Sequence, residues 1–341
     1  MSRRTDHLTV AVTGPTGTFG FGLVPLLEED DRIAGVIGIA RRPFDPADHG
    51  WSKMTYRQGD VRDPAALLAA FAGADAVVHL AFLVTGSSSD PSTRAVNIDG
   101  TLNAFRAAAE VGARRFVYAA SVAAYGFHAD RPEQLTEDDP TRPAERLFYA
   151  QEKAELEALL QAEAAAHPSM DLYVLRPPVV LGPHAVGGKA ALPPAVEELA
   201  RRAVGAVEHL PVPVPVPLPP FPLQFVHEDD VGQAFLLCTV GDGPPGTYNI
   251  AGPGVLTAHD VARELGLLPL PLPLGLAQRA ARMVSRVPWP PVGPPVTEWA
   301  DSLTHPAIVD TSKAEQELGW RPRYSGLDAL RATLHPPGSA G

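Results

Sequence analysis

The chain has 341 residues, of which 45% are hydrophobic, and this is enough for a sizeable core with a smaller attached lobe. Its 39 acidic and 28 basic side chains give a net charge of -11, which repels nucleic-acid backbones and anionic membrane surfaces, so we expect neither as a partner. The single cysteine, Cys238, excludes an intramolecular disulfide and a thiolate-rich metal site, and it favours a cytoplasmic location.

Short apolar runs alternate with alanine- and leucine-rich stretches in the first half of the chain. This alternation is typical of a parallel sheet with helices on both faces. The predicted strands are residues 8–12, 35–40, 54–57, 74–80, 115–119 and 172–175, and the predicted helices are 20–29, 65–71, 92–111 and 144–166. We therefore predict an α/β fold with a doubly wound parallel sheet of the Rossmann type.

A change of composition after Arg176 marks a second lobe, because most of the 37 prolines lie in the second half of the chain. The runs 211–222, 268–274 and 288–295 space proline so densely that we predict extended, polyproline-type backbone there. They are either stiff surface connectors or, given their Val, Leu, Phe221 and Trp289, an apolar wall.

The second lobe is predicted to be discontinuous. Residues 223–226 are predicted to form a strand, and 230–238 the helix after it, so that the chain returns to the sheet there; 311–318 and 327–334 are predicted to be closing helices. This gives a dinucleotide-binding domain of residues 1–176 and 223–252. The substrate-binding lobe is then 177–222 and 253–335.

A glycine-rich turn follows the first predicted strand. Three glycines spaced three apart allow the backbone to approach a pyrophosphate closely, and the helix that follows presents its positive N-terminus to the negative charge. The glycines alone are a weak signal, but their place after the first strand strengthens it. The predicted contacts are Gly14, Gly17, Thr18, Phe19 and Gly20.

The end of the second strand predicts which nicotinamide cofactor binds. An acidic residue there binds the ribose hydroxyls of NAD, whereas arginine accommodates the 2′-phosphate of NADP. The chain has Ala40 followed by Arg41 and Arg42, so we predict NADP(H) with NAD(H) as a weaker cofactor. Asp60, before Val61, either contacts the adenine amino group or caps a helix ahead of Pro64.

The most specific pattern is Ser121 followed by Tyr149 and Lys153. Residues four apart on a helix share a face, so the phenol and the ammonium point together. At about 4 Å and an effective dielectric constant near 20, their attraction is about 4 kcal/mol, which lowers the tyrosine pKa by at most about three units. Ser121 would then bind the substrate oxygen, Tyr149 would exchange its proton, and Lys153 would also contact the nicotinamide ribose.

Each of these three residues also has an ordinary structural interpretation. Tyr149 fits an amphipathic helix position, Lys153 a solvated helix face and Ser121 the end of a strand. It is their conjunction with the glycine turn, in this order, that favours catalysis.

Histidines and carboxylates elsewhere are predicted to be structural. Residues 227–230 read His-Glu-Asp-Asp, but carboxylates at the start of a helix usually interact with its dipole, so we predict no metal. His79 ends an apolar strand and is predicted to be structural. His184, after Gly182 and Pro183, is predicted to be structural or to line the mouth of the pocket.

Together these motifs resemble the extended short-chain dehydrogenase/reductase family, also called the NAD-dependent epimerase/dehydratase family. The matching landmarks are residues 13–20, 60–61, 78–81, 97–101, 121–126, 149–153, 175–178, 225–231, 248–250 and 318–320. The resemblance implies that Leu80, Ala81 and Asn97 border the cofactor and that Pro177 to Val180 lie near the nicotinamide amide. It also implies a homodimer formed through a pair of helices.

The chain departs from the sugar-nucleotide members of that family. Many epimerases that retain NAD carry an acidic residue where this chain has Ala40, and this chain has Leu175-Arg176-Pro177 where they often have an aromatic-Asn pair. We therefore predict an NADPH-dependent ketoreductase or alcohol dehydrogenase acting on a largely apolar small molecule. The alternatives are a nucleotide-sugar epimerase or dehydratase with retained NAD, and an NADP(H)-sensing regulator without turnover.

Overall fold

The computed structural model describes residues 7–84, 91–145, 147–185, 213–273, 275–276 and 305–336. Thirteen strands are present in these ranges. They are β1 (Leu8–Thr13), β2 (Ile33–Ala40), β3 (Met54–Gln58), β4 (Ala76–His79), β5 (Arg115–Ala119), β6 (Asp171–Arg176), β7 (Val179–Leu181), β8 (Pro215–Leu218), β9 (Pro222–Leu223), β10 (Phe225–His227), β11 (Gly246–Asn249), β12 (Leu256–Thr257) and β13 (Leu268–Pro271).

A seven-stranded sheet forms the centre of the fold, and all its strand pairs are parallel. The strand order is β11-β6-β5-β4-β1-β2-β3. The order reverses between β1 and β4, and in open α/β sheets ligands bind at the carboxyl ends of the strands beside such a reversal. The fold therefore places a ligand crevice where β1 and β4 end.

Helices cover both faces of this sheet. The helices of the described residues are α1 (Thr18–Glu29), α2 (Pro64–Phe71), α3 (Pro91–Arg94), α4 (Gly100–Glu110), α5 (Phe148–Ala166), α6 (Glu228–Val240), α7 (Ala258–Glu264) and α8 (Gly326–Leu334). The last two, α7 and α8, pack on the small two-stranded sheets instead. Apolar side chains of α1 and α6, such as Leu23 and Phe235, form one core, and those of α2, α4 and α5, such as Leu67, Phe105 and Leu156, form the other. The predicted doubly wound α/β fold is confirmed.

Two glycines allow α1 and α6 to pack unusually closely. A Cβ atom on Gly22 would lie 2.1 Å from the carbonyl oxygen of Glu228, and one on Gly232 would lie 2.0 Å from the carbonyl oxygen of Gly22. Side chains at either position would force the helices apart. The start of α6 is therefore held against the first turns of α1.

The structure corrects the predicted return of the chain to the sheet at 223–226. Strand β10 pairs with β7 in a separate two-stranded sheet, and the strand that joins the main sheet is β11, beside β6. The prediction was wrong because a short apolar run shows that a strand exists but not which strand it pairs with. The helix after it is confirmed, with bounds of 228–240.

Three predicted helices also differ from the observed ones. The helix predicted over 92–111 is interrupted by a π-helical turn, Ala95–Asp99, which Asn97 occupies. The helix predicted from residue 144 begins at Phe148, because the chain before it lies against the loop after β5, where His128 Nε2 is 2.6 Å from the Arg142 carbonyl oxygen. At the C-terminal end, the predicted helix over 311–318 is largely a π-helical turn, Ala314–Leu318.

The proline-rich runs form a paired ribbon where the structure describes them. Strand β8 pairs in parallel with β13, and Leu268 N and Leu272 N donate to the carbonyl oxygens of Val214 and Leu218 over 2.9 and 3.1 Å. Leucines thus supply the N–H groups that the intervening prolines lack. The run 288–295 lies outside the described residues, and the division into two domains stays a prediction.

Among the helices in the described ranges, none is both long and apolar enough to span a bilayer.

Candidate active site

The glycine turn between β1 and α1 has the geometry of a phosphate-binding loop. Gly14 has a φ of +69°, which favours glycine, and Gly17 is the N-cap of α1. A Cβ atom on Gly20 would lie 2.0 Å from the Pro15 carbonyl oxygen, so the turn can close only on a glycine. Helix α1 then starts at Thr18, with Phe19 packed against Phe235, and its first N–H groups are suited to bind an anion.

The end of β4 lies directly beside this turn. Leu80 N donates to the Thr13 carbonyl oxygen over 3.1 Å, and a Cβ atom on Gly14 would lie 3.1 Å from the backbone of Ala81. His79 is buried between the hydroxyls of Thr13 and Thr101, at 2.9 and 3.0 Å, and burial lowers its pKa to about 3. It is therefore neutral at pH 7, in agreement with the predicted structural role.

The residues predicted to contact adenosine lie at the ends of β2 and β3. Arg41 and Arg42 are exposed, and Asp60 forms a 2.7 Å ion pair with Arg62. This pairing, with a smaller contribution from Arg41, lowers the pKa of Asp60. Asp60 does not cap the following helix. Asp63 does, accepting hydrogen bonds from the backbone of Ala65 and Ala66, while Val61 is buried beside Asp60.

Ser121 and Tyr149 meet at the carboxyl end of β5. Ser121 caps a 3₁₀ turn, Val122–Tyr125, by accepting a 3.2 Å hydrogen bond from Ala123 N, and its hydroxyl is hydrogen-bonded to that of Tyr149. The ring of Phe82 packs edge-on against Tyr149 at 5.6 Å. Phe82 follows Ala81, so one short segment links the glycine turn to the acid/base pair.

Lys153 is buried one helical turn after Tyr149. Its Nζ donates to the Ala119 carbonyl oxygen over 2.6 Å and lies 3.7 Å from the centre of the Phe82 ring. Loss of hydration lowers the pKa of Lys153 to about 7, against the opposing effect of the Glu157 and Glu152 carboxylates. The interpretation of Lys153 as a residue of a solvated face is therefore wrong.

The predicted lowering of the Tyr149 pKa by Lys153 is not found. The pKa of Tyr149 is raised, because burial outweighs the hydrogen bond from Ser121, and Lys153 Nζ lies 5.8 Å from the tyrosine ring centre. A protonated phenol is suited to donate a proton to a substrate oxygen. At pH 7 the Tyr149 phenol therefore carries the proton that a general acid would donate.

Two buried carboxylates on α5 support this site, and the sequence reasoning missed both. Glu152 accepts a 2.7 Å hydrogen bond from Asn97 Nδ2, and Asn97 Oδ1 accepts from Leu83 N over 2.7 Å. Asn97 thereby fixes the chain just after Phe82. The signal for Glu157 was its spacing four residues after Lys153, which places both on one face of the helix.

Glu157 forms a buried ion pair with Arg176, at the end of β6. The Arg176 Nε lies 3.0 and 3.1 Å from the two carboxylate oxygens, and only 5% and 3% of the two side chains are exposed. The guanidinium also lies 4.5 Å from the centre of the Tyr125 ring. This pair joins β6 to the helix that carries Tyr149 and Lys153.

The segment after β6 lies near the start of α1. Pro177 is buried and its carbonyl oxygen accepts from Val122 N, and Val180 lies in β7, opposite Val226 of β10. His184 follows β7 and contacts Glu228, the first residue of α6. No group of three metal-binding side chains occurs within the described ranges, and His227 and Asp229 interact at the start of α6.

Comparison with known sequences decides the family. Residues 10–251 match the NAD dependent epimerase/dehydratase family. The chain belongs to this family. It is therefore an NAD(P)-dependent enzyme of the extended short-chain dehydrogenase/reductase class, as the sequence predicted.

Sequence relatives cover nearly the whole chain of this family member. An uncharacterised protein of Sinorhizobium fredii, y4nG, is 29% identical over 96% of this chain and 78% of its own length. An uncharacterised protein of Mycobacterium tuberculosis is 23% identical over 94% of this chain and 82% of its own length. Neither relative comes with a described activity.

Solved structures share the fold of this family member. The UDP-glucose 4-epimerase of Thermotoga maritima, solved with UDP-glucose, has a TM-score of 0.71 at 19% identity, covering 96% of this chain and 97% of its own. The Bordetella bronchiseptica enzyme WbmG, solved with NAD, has a TM-score of 0.69 at 20% identity, covering 98% and 95%. At these identities the likeness establishes the fold only.

Proposed function

We propose that this protein is an NADPH-dependent oxidoreductase, a ketoreductase or alcohol dehydrogenase, with Tyr149 as its general acid/base. The hydrogen-bonded Ser121–Tyr149 pair carries this proposal, since it lies at the carboxyl edge of the sheet with Lys153 one turn away. The glycine turn and the end of β4 fit a dinucleotide, because their backbones lie side by side in the crevice where β1 and β4 end, and no side chain of Gly14 separates them.

The residues divide the reaction between them. A bound nicotinamide supplies or accepts the hydride. Ser121 orients the substrate oxygen by a hydrogen bond, and Tyr149 donates its proton to that oxygen in reduction or removes it in oxidation. Lys153, positioned by Ala119 and Phe82, contributes positive charge when protonated and contacts the nicotinamide ribose.

Preference for NADPH is supported by two exposed guanidinium groups and by the lack of a carboxylate at the end of β2. Neither Arg41 nor Arg42 takes part in the ion pair between Arg62 and Asp60. Their planar guanidinium groups are therefore suited to bind the oxygens of a 2′-phosphate. The test is steady-state kinetics with each cofactor. A kcat/KM about tenfold higher with NADH would contradict the proposed preference.

An apolar substrate is supported by the composition of the second lobe, where β8 and β13 present only proline, valine and leucine. Oxidation of NADPH against a panel of hydrophobic ketones tests this substrate class.

The second candidate, a nucleotide-sugar epimerase or dehydratase, is supported by the family and by neighbours solved with UDP-glucose or NAD. That candidate would be favoured if no ketone of the panel caused NADPH oxidation, if the purified protein retained NAD and if it turned over a nucleotide sugar.

Replacing Tyr149 separates catalysis from cofactor sensing. We expect Tyr149→Phe to lower kcat at least about a hundredfold while the dinucleotide Kd stays unchanged, because only the transferable proton is lost. Tyr173→Phe is the matched control, since that hydroxyl bonds the Gly243 carbonyl away from the site. Retained activity in Tyr149→Phe would show that Tyr149 is not the acid/base, whereas dinucleotide binding without turnover in the unaltered protein would favour a regulator. The homodimer stays a prediction, checked by the mass in solution.

A further inference from the structure

We propose that Tyr56 is a positioning residue for cofactor selectivity, and that it acts by holding the backbone at Arg41 and Arg42. This inference rests on the proposed function, because it concerns the same preference for NADPH. Tyr56 lies in β3, next to the strand whose end carries the two arginines. The ligand chemistry that it serves is a phosphate on the 2′-oxygen of adenosine.

The hydroxyl of Tyr56 is hydrogen-bonded to two carbonyl groups at the end of β2. It donates over 3.0 Å to the carbonyl oxygen of Ala40, the last residue of the strand, and it also donates to the carbonyl oxygen of Arg42. A phenol has a single hydrogen to donate, so the two carbonyl oxygens share it. The two carbonyl groups therefore converge on one atom, which fixes the turn of the chain between them.

The carbonyl group between these two is held by a second side chain of β3. Gln58 Nε2 donates to the Arg41 carbonyl oxygen over 2.9 Å, and Gly59 N donates to the Ala40 carbonyl oxygen over 2.9 Å. All three carbonyl groups from Ala40 to Arg42 thus accept hydrogen bonds from β3 or the residue after it. The backbone from which both arginine side chains extend is therefore fixed from one side.

The ring of Tyr56 reaches the end of β2 because Gly38 has no side chain. Gly38 is opposite Tyr56 in the strand register, and a Cβ atom on it would lie 3.3 Å from Tyr56 Cδ2 and 2.9 Å from Met54 Sδ. The ring of Phe44, two residues after the arginine pair, packs against the same tyrosine with ring centres 5.5 Å apart. Tyr56 thus contacts the chain both before and after the two arginines.

This arrangement leaves the guanidinium groups in solvent while the backbone behind them is held. Arg41 and Arg42 are exposed, and the hydrogen bonds described for them end on their carbonyl oxygens. A flexible backbone would add its own loss of entropy to the cost of ordering two long side chains on a 2′-phosphate. The tyrosine removes that part of the cost before the ligand binds, and NADH, which lacks the 2′-phosphate, gains nothing from it.

The test measures the affinity of the full chain for two pairs of probes, adenosine 2′,5′-bisphosphate with AMP and NADPH with NADH. Each pair differs only in the 2′-phosphate. We expect Tyr56→Phe to weaken the two 2′-phosphorylated probes about fivefold and to leave AMP and NADH unchanged, because only the hydroxyl that holds the arginine backbone is lost. Tyr173→Phe, which removes a hydroxyl bonded to the Gly243 carbonyl oxygen, is the matched control and should leave the affinity for every probe unchanged.

A second comparison shows whether Tyr56 acts through the arginines. In a chain that already carries Arg41→Ala and Arg42→Ala, Tyr56→Phe should cause no further loss of NADPH affinity, because the groups that it positions are absent. Gln58→Leu, at an exposed position, should weaken the 2′-phosphorylated probes about threefold, since it releases one of the same carbonyl groups.

Unchanged affinity for the 2′-phosphorylated probes in Tyr56→Phe would overturn the inference. An equal loss for AMP and NADH would overturn it too, as would the same fivefold loss in the chain without the two arginines. Gln58→Leu decides in the same way if Tyr56→Phe fails to fold. If the unaltered protein binds NADH and NADPH with equal affinity, the proposed NADPH preference fails and the inference with it, whereas a preference that survives Tyr56→Phe removes the inference alone.

Discussion

The two halves of the candidate site are built in opposite ways. The phosphate turn is made of backbone, with Gly14, Gly17 and Gly20 keeping side chains out of the crevice. The acid/base half is made of side chains, with Tyr149 and Lys153 packed among Phe82 and the buried carboxylates of α5. Binding a diphosphate requires donors at fixed positions, whereas proton transfer depends on the pKa values of side chains, which burial, nearby charge and hydrogen bonds shift.

The contrast implies that buried charge in the acid/base half is the more vulnerable to substitution. We expect Glu157→Gln to lower the free energy of unfolding by about 3–5 kcal/mol, because it leaves the Arg176 guanidinium buried without a counter-charge. Denaturant unfolding measures this. Glu163→Gln, two turns away on α5, is the control, since its partner Arg106 is exposed and the loss should stay below about 1 kcal/mol. Equal effects would show that burial does not distinguish the two pairs.

Steric exclusion in the phosphate half gives the next largest effect. We expect Gly20→Ala to lower the free energy of unfolding by about 1–3 kcal/mol and to weaken dinucleotide binding, since its Cβ would overlap the Pro15 carbonyl oxygen. Thermal unfolding and NADPH titration measure the two effects. Gly35→Ala, whose Cβ has no neighbour closer than 3.9 Å, should be tolerated. A tolerated Gly20→Ala would remove the steric argument for this turn.

The lowered pKa of Lys153 makes stability depend on pH. Because the folded pKa is about 7 and the usual value is 10.5, the unfolded chain binds more protons between these values, and stability rises with pH through that window. We expect Lys153→Met to remove up to about 1.4 kcal/mol of this rise per pH unit. Lys313→Met, beside the Tyr248 ring, is the control. Identical pH slopes in both variants would contradict the burial of Lys153.

The smallest expected effect concerns cofactor selectivity. We expect Arg41→Ala to lower kcat/KM for NADPH about tenfold and to leave NADH unchanged, because only the 2′-phosphate contact is removed. Arg57→Ala, an exposed arginine at the end of β3 that donates to the Ala69 carbonyl oxygen, is the control. An equal loss for both cofactors would assign Arg41 to general charge attraction.

Local patterns predicted the strands and helices of the main sheet within a few residues, since alternation and helix propensity depend on near neighbours. They did not predict that β11 completes the sheet, because pairing joins residues far apart in sequence. At the site, the spacing of Tyr149 and Lys153 placed both on α5. The wrong prediction there, a lowered Tyr149 pKa, considered only the attraction of a Lys153 ammonium at about 4 Å and left out burial of the phenol, which dominates.

The sequence by itself determined the order of strands and helices, the glycine turn and the helical face shared by Tyr149 and Lys153, because backbone conformation and helical spacing are local properties. Tertiary structure alone decided that Lys153 loses its hydration, that Glu157 pairs with Arg176 and that Glu228 binds His184. Desolvation and ion pairing depend on which distant segments pack around a group, and no short stretch of sequence contains that information.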